Sequence, residues 1–100
     1  MAIRTLPEIR DVVSGLAKQY GAERVYLFGS YARGDMTEDS DVDLRIDQGA
    51  IHGLRLCDFR LDIQDALGLP VDLLTTGSLD AKFRSFIEDD EVLLYEANAR

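Results

Sequence analysis

Six consecutive residues, Val42-Asp43-Leu44-Arg45-Ile46-Asp47, alternate strictly between apolar and charged side chains. Successive side chains of a strand point to opposite faces, so this segment predicts a half-buried strand. Val42, Leu44 and Ile46 would face inward. Asp43, Arg45 and Asp47, with the preceding Asp41, would lie on the other face. One sheet face must then be covered by apolar residues from elsewhere in the chain, and the other must carry an unusual density of charge.

The remaining segments supply that cover. Thr5 and Glu8 have capping-box spacing, and Ile9, Val12, Val13, Leu16, Ala17 and Tyr20 recur on one helical face until Gly21, which predicts a helix over about 6–20. Val25-Tyr26-Leu27-Phe28 is a short β-prone run ending at Gly29, as a buried strand would. A short helix follows from Ser30 to Gly34, then a polar loop over 35–41. A second long helix fits 53–67, its apolar side drawn from Leu54, Cys57 and Leu61 with Phe59, Ile63, Ala66 and Leu67, and closed by Gly68. Val71 to Leu74 reads as a third strand, 79–88 as a helix carrying Leu79, Phe83, Phe86 and Ile87, and Val92 to Tyr95 as a short strand or extended tail expected in the core, with an edge strand or a partner interface as the alternatives. This alternation predicts an α/β fold with a small sheet flanked by helices, in one domain spanning 1–100.

Composition narrows the function. The 100 residues carry 11 Lys+Arg against 19 Asp+Glu, a formal charge of −8. Polynucleotide binding relies on a basic surface that releases phosphate counterions, so direct binding to nucleic acid is not expected. No run approaches the roughly 18 apolar residues of a membrane span, and MAIRTLPEIR lacks an apolar signal region; the expected location is the cytoplasm, away from membranes. One cysteine, Cys57, and one histidine, His52, leave no Cys/His zinc site, so a metal here would be held by oxygen. Cys57 is expected in the core, His52 exposed, and Asp58, Asp62 and Asp65 on a solvated face.

The chemistry concentrates in two short stretches. Gly29-Ser30 closes a strand and opens a helix, placing free backbone N–H groups and a hydroxyl where an anion can approach, although Gly-Ser at a strand end is commonly only a turn. Asp41 and Asp43, two positions apart, would face the same way with Cα atoms about 6.6–7 Å apart. Carboxylates about 5 Å apart repel by roughly 3 kcal/mol at an effective dielectric of 20, so the pair calls for cations. Metals about 3.5–4 Å apart serve in-line displacement at phosphorus, and all-oxygen ligands suit Mg²⁺ or Mn²⁺. Asp72, one charge inside an apolar strand, can add a third carboxylate if its strand lies beside the second. A calcium loop starting at Asp39 fails, because its sixth position is Leu44 where glycine is needed and its twelfth is Ala50 rather than glutamate.

GSYARGDMTEDSDVDL resembles the signature of the DNA polymerase β-type nucleotidyltransferase superfamily, and more narrowly that of its minimal nucleotidyltransferases. Gly29-Ser30 is followed after ten residues by Asp41-Val42-Asp43, with Ala32-Arg33-Gly34 and Ser40 in the interval. The resemblance implies a small mixed β-sheet of that fold and nucleotidyl transfer from ATP. Gly29 and Ser30 would hold the triphosphate, and Arg33 is a candidate phosphate contact, against the plainer reading of a surface ion pair. Asp41 and Asp43 would bind two Mg²⁺. Asp72 would complete one metal site and help deprotonate the acceptor hydroxyl. For Tyr31, nucleotide stacking and core packing both stand. The resemblance also implies a partner: minimal nucleotidyltransferases pair with small helical HEPN ribonuclease toxins and, as antitoxins, add AMP to a toxin tyrosine. Two alternatives are a non-catalytic antitoxin acting by occlusion and a transferase acting on a small-molecule hydroxyl. Asp35, Glu38, Asp39, Asp41, Asp43 and Asp47 crowd one loop and strand, opposed there only by Arg45, and the remaining negative surface suits a basic partner.

Overall fold

A computed structural model describes residues 4–97; the other six positions of the expected 1–100 domain lie outside the described residues. The order is α1 (Leu6–Tyr20), β1 (Arg24–Phe28), α2 (Ser30–Arg33), β2 (Val42–Asp47), α3 (Leu54–Leu67), β3 (Val71–Thr75), a 3-10 turn (Thr76–Ser78), α4 (Ala81–Glu88) and β4 (Val92–Glu96). The strands form one mixed sheet in the order β3-β2-β1-β4. β1 runs antiparallel to β2 and β4, and β2 runs parallel to β3.

Local signals set the element ends. Thr5 Oγ1 accepts from the Glu8 amide at 3.3 Å while the Thr5 amide donates to Glu8 Oε1 at 2.8 Å, a complete capping box. Gly21 stops α1 at φ +89°, and its N–H donates to the Ala17 carbonyl at 2.9 Å.

Ile9, Val13 and Ala17 of α1 and Phe59, Ile63 and Leu67 of α3 pack with Val25, Leu27, Val42, Leu44 and Ile46 in one core. Fully burying such a side chain is worth about 1.5–3 kcal/mol, which is why the apolar half of the β2 alternation commits to this face. β4 is an edge strand; Leu94 is buried and Leu93 is exposed.

Several expectations change. Leu54, Cys57 and Leu61 are exposed, not core. They form one stripe at i, i+3, i+7, while Phe59, Ile63 and Leu67 form another about 150° away on the helix, and the stripe with the larger, better-spaced side chains faces the sheet. In α4 only Ile87 is buried, and both Phe83 and Phe86 are exposed. α4 begins at Ala81 because Asp80 caps it, accepting from the Phe83 amide at 2.8 Å.

Arg45 departs furthest from expectation. It lies on the charged face as the alternation requires, yet it is 3% exposed. Its guanidinium donates to both carboxylate oxygens of Glu91, at 2.5 and 2.8 Å, and to Thr76 Oγ1 at 2.8 Å. It also stacks over the Tyr26 ring at 4.1 Å. The charged face of the sheet is therefore partly roofed by the segment that carries α4.

Candidate active site

The register across the sheet assembles the site. Phe28 of β1 pairs with Asp43 of β2, and Asp43 pairs with Asp72 of β3. Directly paired residues share a face, so Asp43 and Asp72 project together on the side away from α1 and α3. Asp41 lies one residue before β2, in the loop, and is exposed. Asp72 is also exposed, and Asp43 is partly buried.

Gly29 follows β1 and precedes α2 at φ +76°, and its carbonyl accepts from the Ala32 and Arg33 amides at 3.1 and 3.0 Å. A Cβ built on Gly29 would collide with Asp43 Oδ2 and lie 3.2 Å from Asp43 Cγ. Glycine is required twice here, for the left-handed backbone and for the close approach of the carboxylate.

Electrostatics single out Asp43. Burial, then the charges of Asp72 and Asp41, push its carboxyl up from the ordinary 3.8 to about 6, opposed only by Arg33. Asp47, four residues further on the same face of β2, behaves oppositely. Burial raises it, but hydrogen bonds from Thr76 and Arg24 and the charge of Arg45 more than offset this, and its carboxyl sits low. Asp43 has neighbours of its own sign and no hydrogen-bond donor among the described residues. Such a group accepts a cation readily.

Asp41, Asp43 and Asp72 offer the oxygen-only donors that Mg²⁺ takes, with charge that only a cation would compensate, so the residues fit that ion. Among the described residues no three His, Cys, Asp or Glu side chains already converge as a metal cage.

A cleft of about 310 Å³ opens from Gly29, Ser30 and Asp43 toward α4. Phe28 and Arg33 also line it, and Phe83, Phe86 and Ile87 of α4 with Asp90 complete the lining. Arg33 pairs with Asp35 at 3.2 Å and Asp90 at 3.7 Å, so it is both an exposed ion-pair residue and a cleft residue. Tyr31 is 4% exposed and packs in the core, its hydroxyl without a hydrogen-bond partner among the described residues, and this burial removes it as a stacking surface. Sequence reasoning missed Phe83, Phe86 and Asp90, because phenylalanines at helical spacing carry the same signal as a core stripe.

Residues 11–100 match the family model described as polymerase beta, nucleotidyltransferase. A Methanocaldococcus jannaschii protein bearing a provisional protein adenylyltransferase name is 33% identical over 98 residues, which cover 92% of this chain and all of the relative. Protein adenylyltransferase MntA of Thermococcus cleftensis is 37% identical over 84 residues, 79% of this chain and 85% of the relative. Among solved structures, a minimal nucleotidyltransferase superposes with TM-score 0.76 at 32% identity, over 87% of this chain and 90% of that one.

Two complexes share the fold at lower identity. A toxin–antitoxin with AMP-PNP gives TM-score 0.75 at 20% identity, over 89% of this chain and 74% of the other. A tri-AMPylated Shewanella oneidensis HEPN toxin in complex with MNT antitoxin gives 0.67 at 17%, over 89% and 71%. The chain belongs to the polymerase β nucleotidyltransferase family, among its minimal members, and is a nucleotidyltransferase. Among the described residues no helix is long and apolar enough to cross a membrane.

Proposed function

We propose that this chain, acting as a single domain, transfers AMP from ATP to a tyrosine hydroxyl of a helical HEPN-type toxin and thereby serves as its antitoxin. The observation that carries the reading is the pairing of Asp43 with Asp72 beside a Gly29 that leaves room for the Asp43 carboxylate alone. The names of the adenylyltransferase relatives support the reaction, and the toxin–antitoxin neighbours support the kind of partner.

In this reading Gly29 and Ser30 receive the triphosphate, with Arg33 beside them. Asp41, Asp43 and Asp72 would hold two Mg²⁺, which when bound neutralise phosphate charge and acidify the acceptor hydroxyl. The acceptor oxygen forms a bond to the α-phosphorus as the bond from that phosphorus to the α–β bridging oxygen breaks, and pyrophosphate departs. The hydroxyl proton passes to Asp72, an exposed carboxylate on β3, and from there to solvent. Glycine at position 29 lets the Asp43 carboxylate lie against the backbone of the β1–α2 turn.

The test is incubation of the chain with ATP, Mg²⁺ and the helical partner, following the partner's mass. An increment of one or more AMP groups, lost with Asp41→Ala/Asp43→Ala, is the expected result. An adduct that persists in the double variant overturns the assignment of these carboxylates, and no adduct with the wild-type chain overturns the transfer itself. Full protection of cells by the double variant overturns neutralisation by transfer and leaves occlusion.

A further inference from the structure

α4 is an eight-residue helix with one buried side chain, Ile87, and with Phe83 and Phe86 exposed by 40% and 76%. The other two phenylalanines, Phe28 and Phe59, are buried. Exposed paired aromatics on so short a helix contribute little to folding.

Their position is nevertheless held. Arg45 bonds to Thr76 before α4 and to Glu91 after it, so one buried guanidinium ties both ends of the segment to β2. Phe83 and Phe86, at i and i+3, share a side of the helix. Together with Ile87 they line the same cleft as Gly29, Ser30 and Asp43. The cleft thus combines polar and acidic groups of the β1–α2 turn and β2 with exposed aromatic side chains of α4.

A nucleoside triphosphate joins the same two characters, a charged chain and a flat, uncharged ring system. With the phosphates at Gly29 and Ser30, the ring has an aromatic wall within the same cleft. From this juxtaposition, and resting on the nucleotidyl-transfer reading above, we infer that Phe83 and Phe86 form the platform on which the donor's base stacks, Phe86 presenting the more open face. Stacking needs only a π-face, so the platform supplies affinity for any base and does not choose among them.

The test is calorimetric titration of the full 100-residue chain, with Mg²⁺, against AMP-PNP, GMP-PNP and inorganic tripolyphosphate. Phe86→Ala is expected to weaken both nucleotides by roughly 5- to 100-fold and to leave tripolyphosphate unchanged, with Phe86→Trp restoring nucleotide affinity. An equal loss for tripolyphosphate would mean that Phe86 only shapes the site, and overturns the platform. So does unchanged nucleotide binding, including the case where AMP addition to the partner falls, which would assign the wall to the acceptor. Wild-type protein that binds tripolyphosphate and AMP-PNP equally well overturns the platform and spares the phosphate site. Wild-type protein that binds neither overturns the nucleotidyl-transfer reading itself. Phe86 is exposed enough for the variants to fold, and unchanged thermal unfolding verifies it.

Discussion

Replacing Asp43 with asparagine is expected to stabilise the metal-free protein while removing a carboxylate of the proposed cation site. In the fold the Asp43 carboxyl is raised from 3.8 to about 6 by burial and by Asp72 and Asp41. Below the unfolded value both states are protonated and the group costs nothing. Between about 4 and about 6 the folded state holds a proton that the unfolded state has released, so wild-type stability falls as pH rises through this window; above it the loss is complete. The full shift corresponds to roughly 3 kcal/mol, and solvent contact at this partly buried group reduces the expected net effect to about 1–2 kcal/mol. For a domain of this size each kcal/mol moves the midpoint by about 4–8 °C.

The assay is thermal unfolding by circular dichroism in EDTA from pH 4 to 8. Asp43→Asn should melt at least about 4 °C above wild type at pH 7, with the gap closing by pH 4. Added Mg²⁺ should raise the wild type more than the variant and narrow the gap, because a ligand stabilises only the state that binds it. A variant less stable than wild type in EDTA, or a gap independent of pH, would refute the view of Asp43 as a carboxylate held at electrostatic cost.

Further predictions concern the scaffold. Gly29→Ala, at φ +76° and facing Asp43, should cost about 1–3 kcal/mol and abolish transfer; Gly34→Ala, at φ +87° with nothing within 4 Å of the new Cβ, should cost only about 1 kcal/mol and spare transfer, as chemical denaturation and the AMP-addition assay will show. Arg45→Met leaves Glu91 buried without its partner and should cost about 3–5 kcal/mol, whereas Arg45→Met/Glu91→Met should recover much of it; a double-mutant cycle by urea unfolding measures the coupling. On α3, Leu54→Lys should change stability by less than about 0.5 kcal/mol and Phe59→Ala should cost about 3–5 kcal/mol, a contrast that checks which stripe faces the sheet.

The parts of the fold readable in advance are those settled within a few residues. The Thr5–Glu8 box, the Gly21 stop and the β2 alternation each depend on backbone geometry close by, and each occurs as its residues require. Gly29-Ser30 and the Asp41/Asp43 spacing were legible for the same reason, since a strand end followed by a helix and two carboxylates two positions apart are local facts. The phase of α3 was not legible. Its sequence carries two apolar stripes, and nothing local says which one a sheet will cover.

By itself, then, the sequence determined the order of helices and strands, the two faces of β2 and a glycine and carboxylates of a recognisable pattern. Tertiary structure decided what those residues meet. The parallel pairing of β2 with β3 sets Asp72 beside Asp43, and with Asp41 makes an acidic neighbourhood that raises one carboxyl. The return of the chain through α4 buries Arg45 against Glu91, 46 residues away, and turns two phenylalanines toward the cleft instead of the core. The physical reason is that burial and pairing are properties of the surface that arrives opposite a residue, whereas periodicity and capping belong to the segment alone.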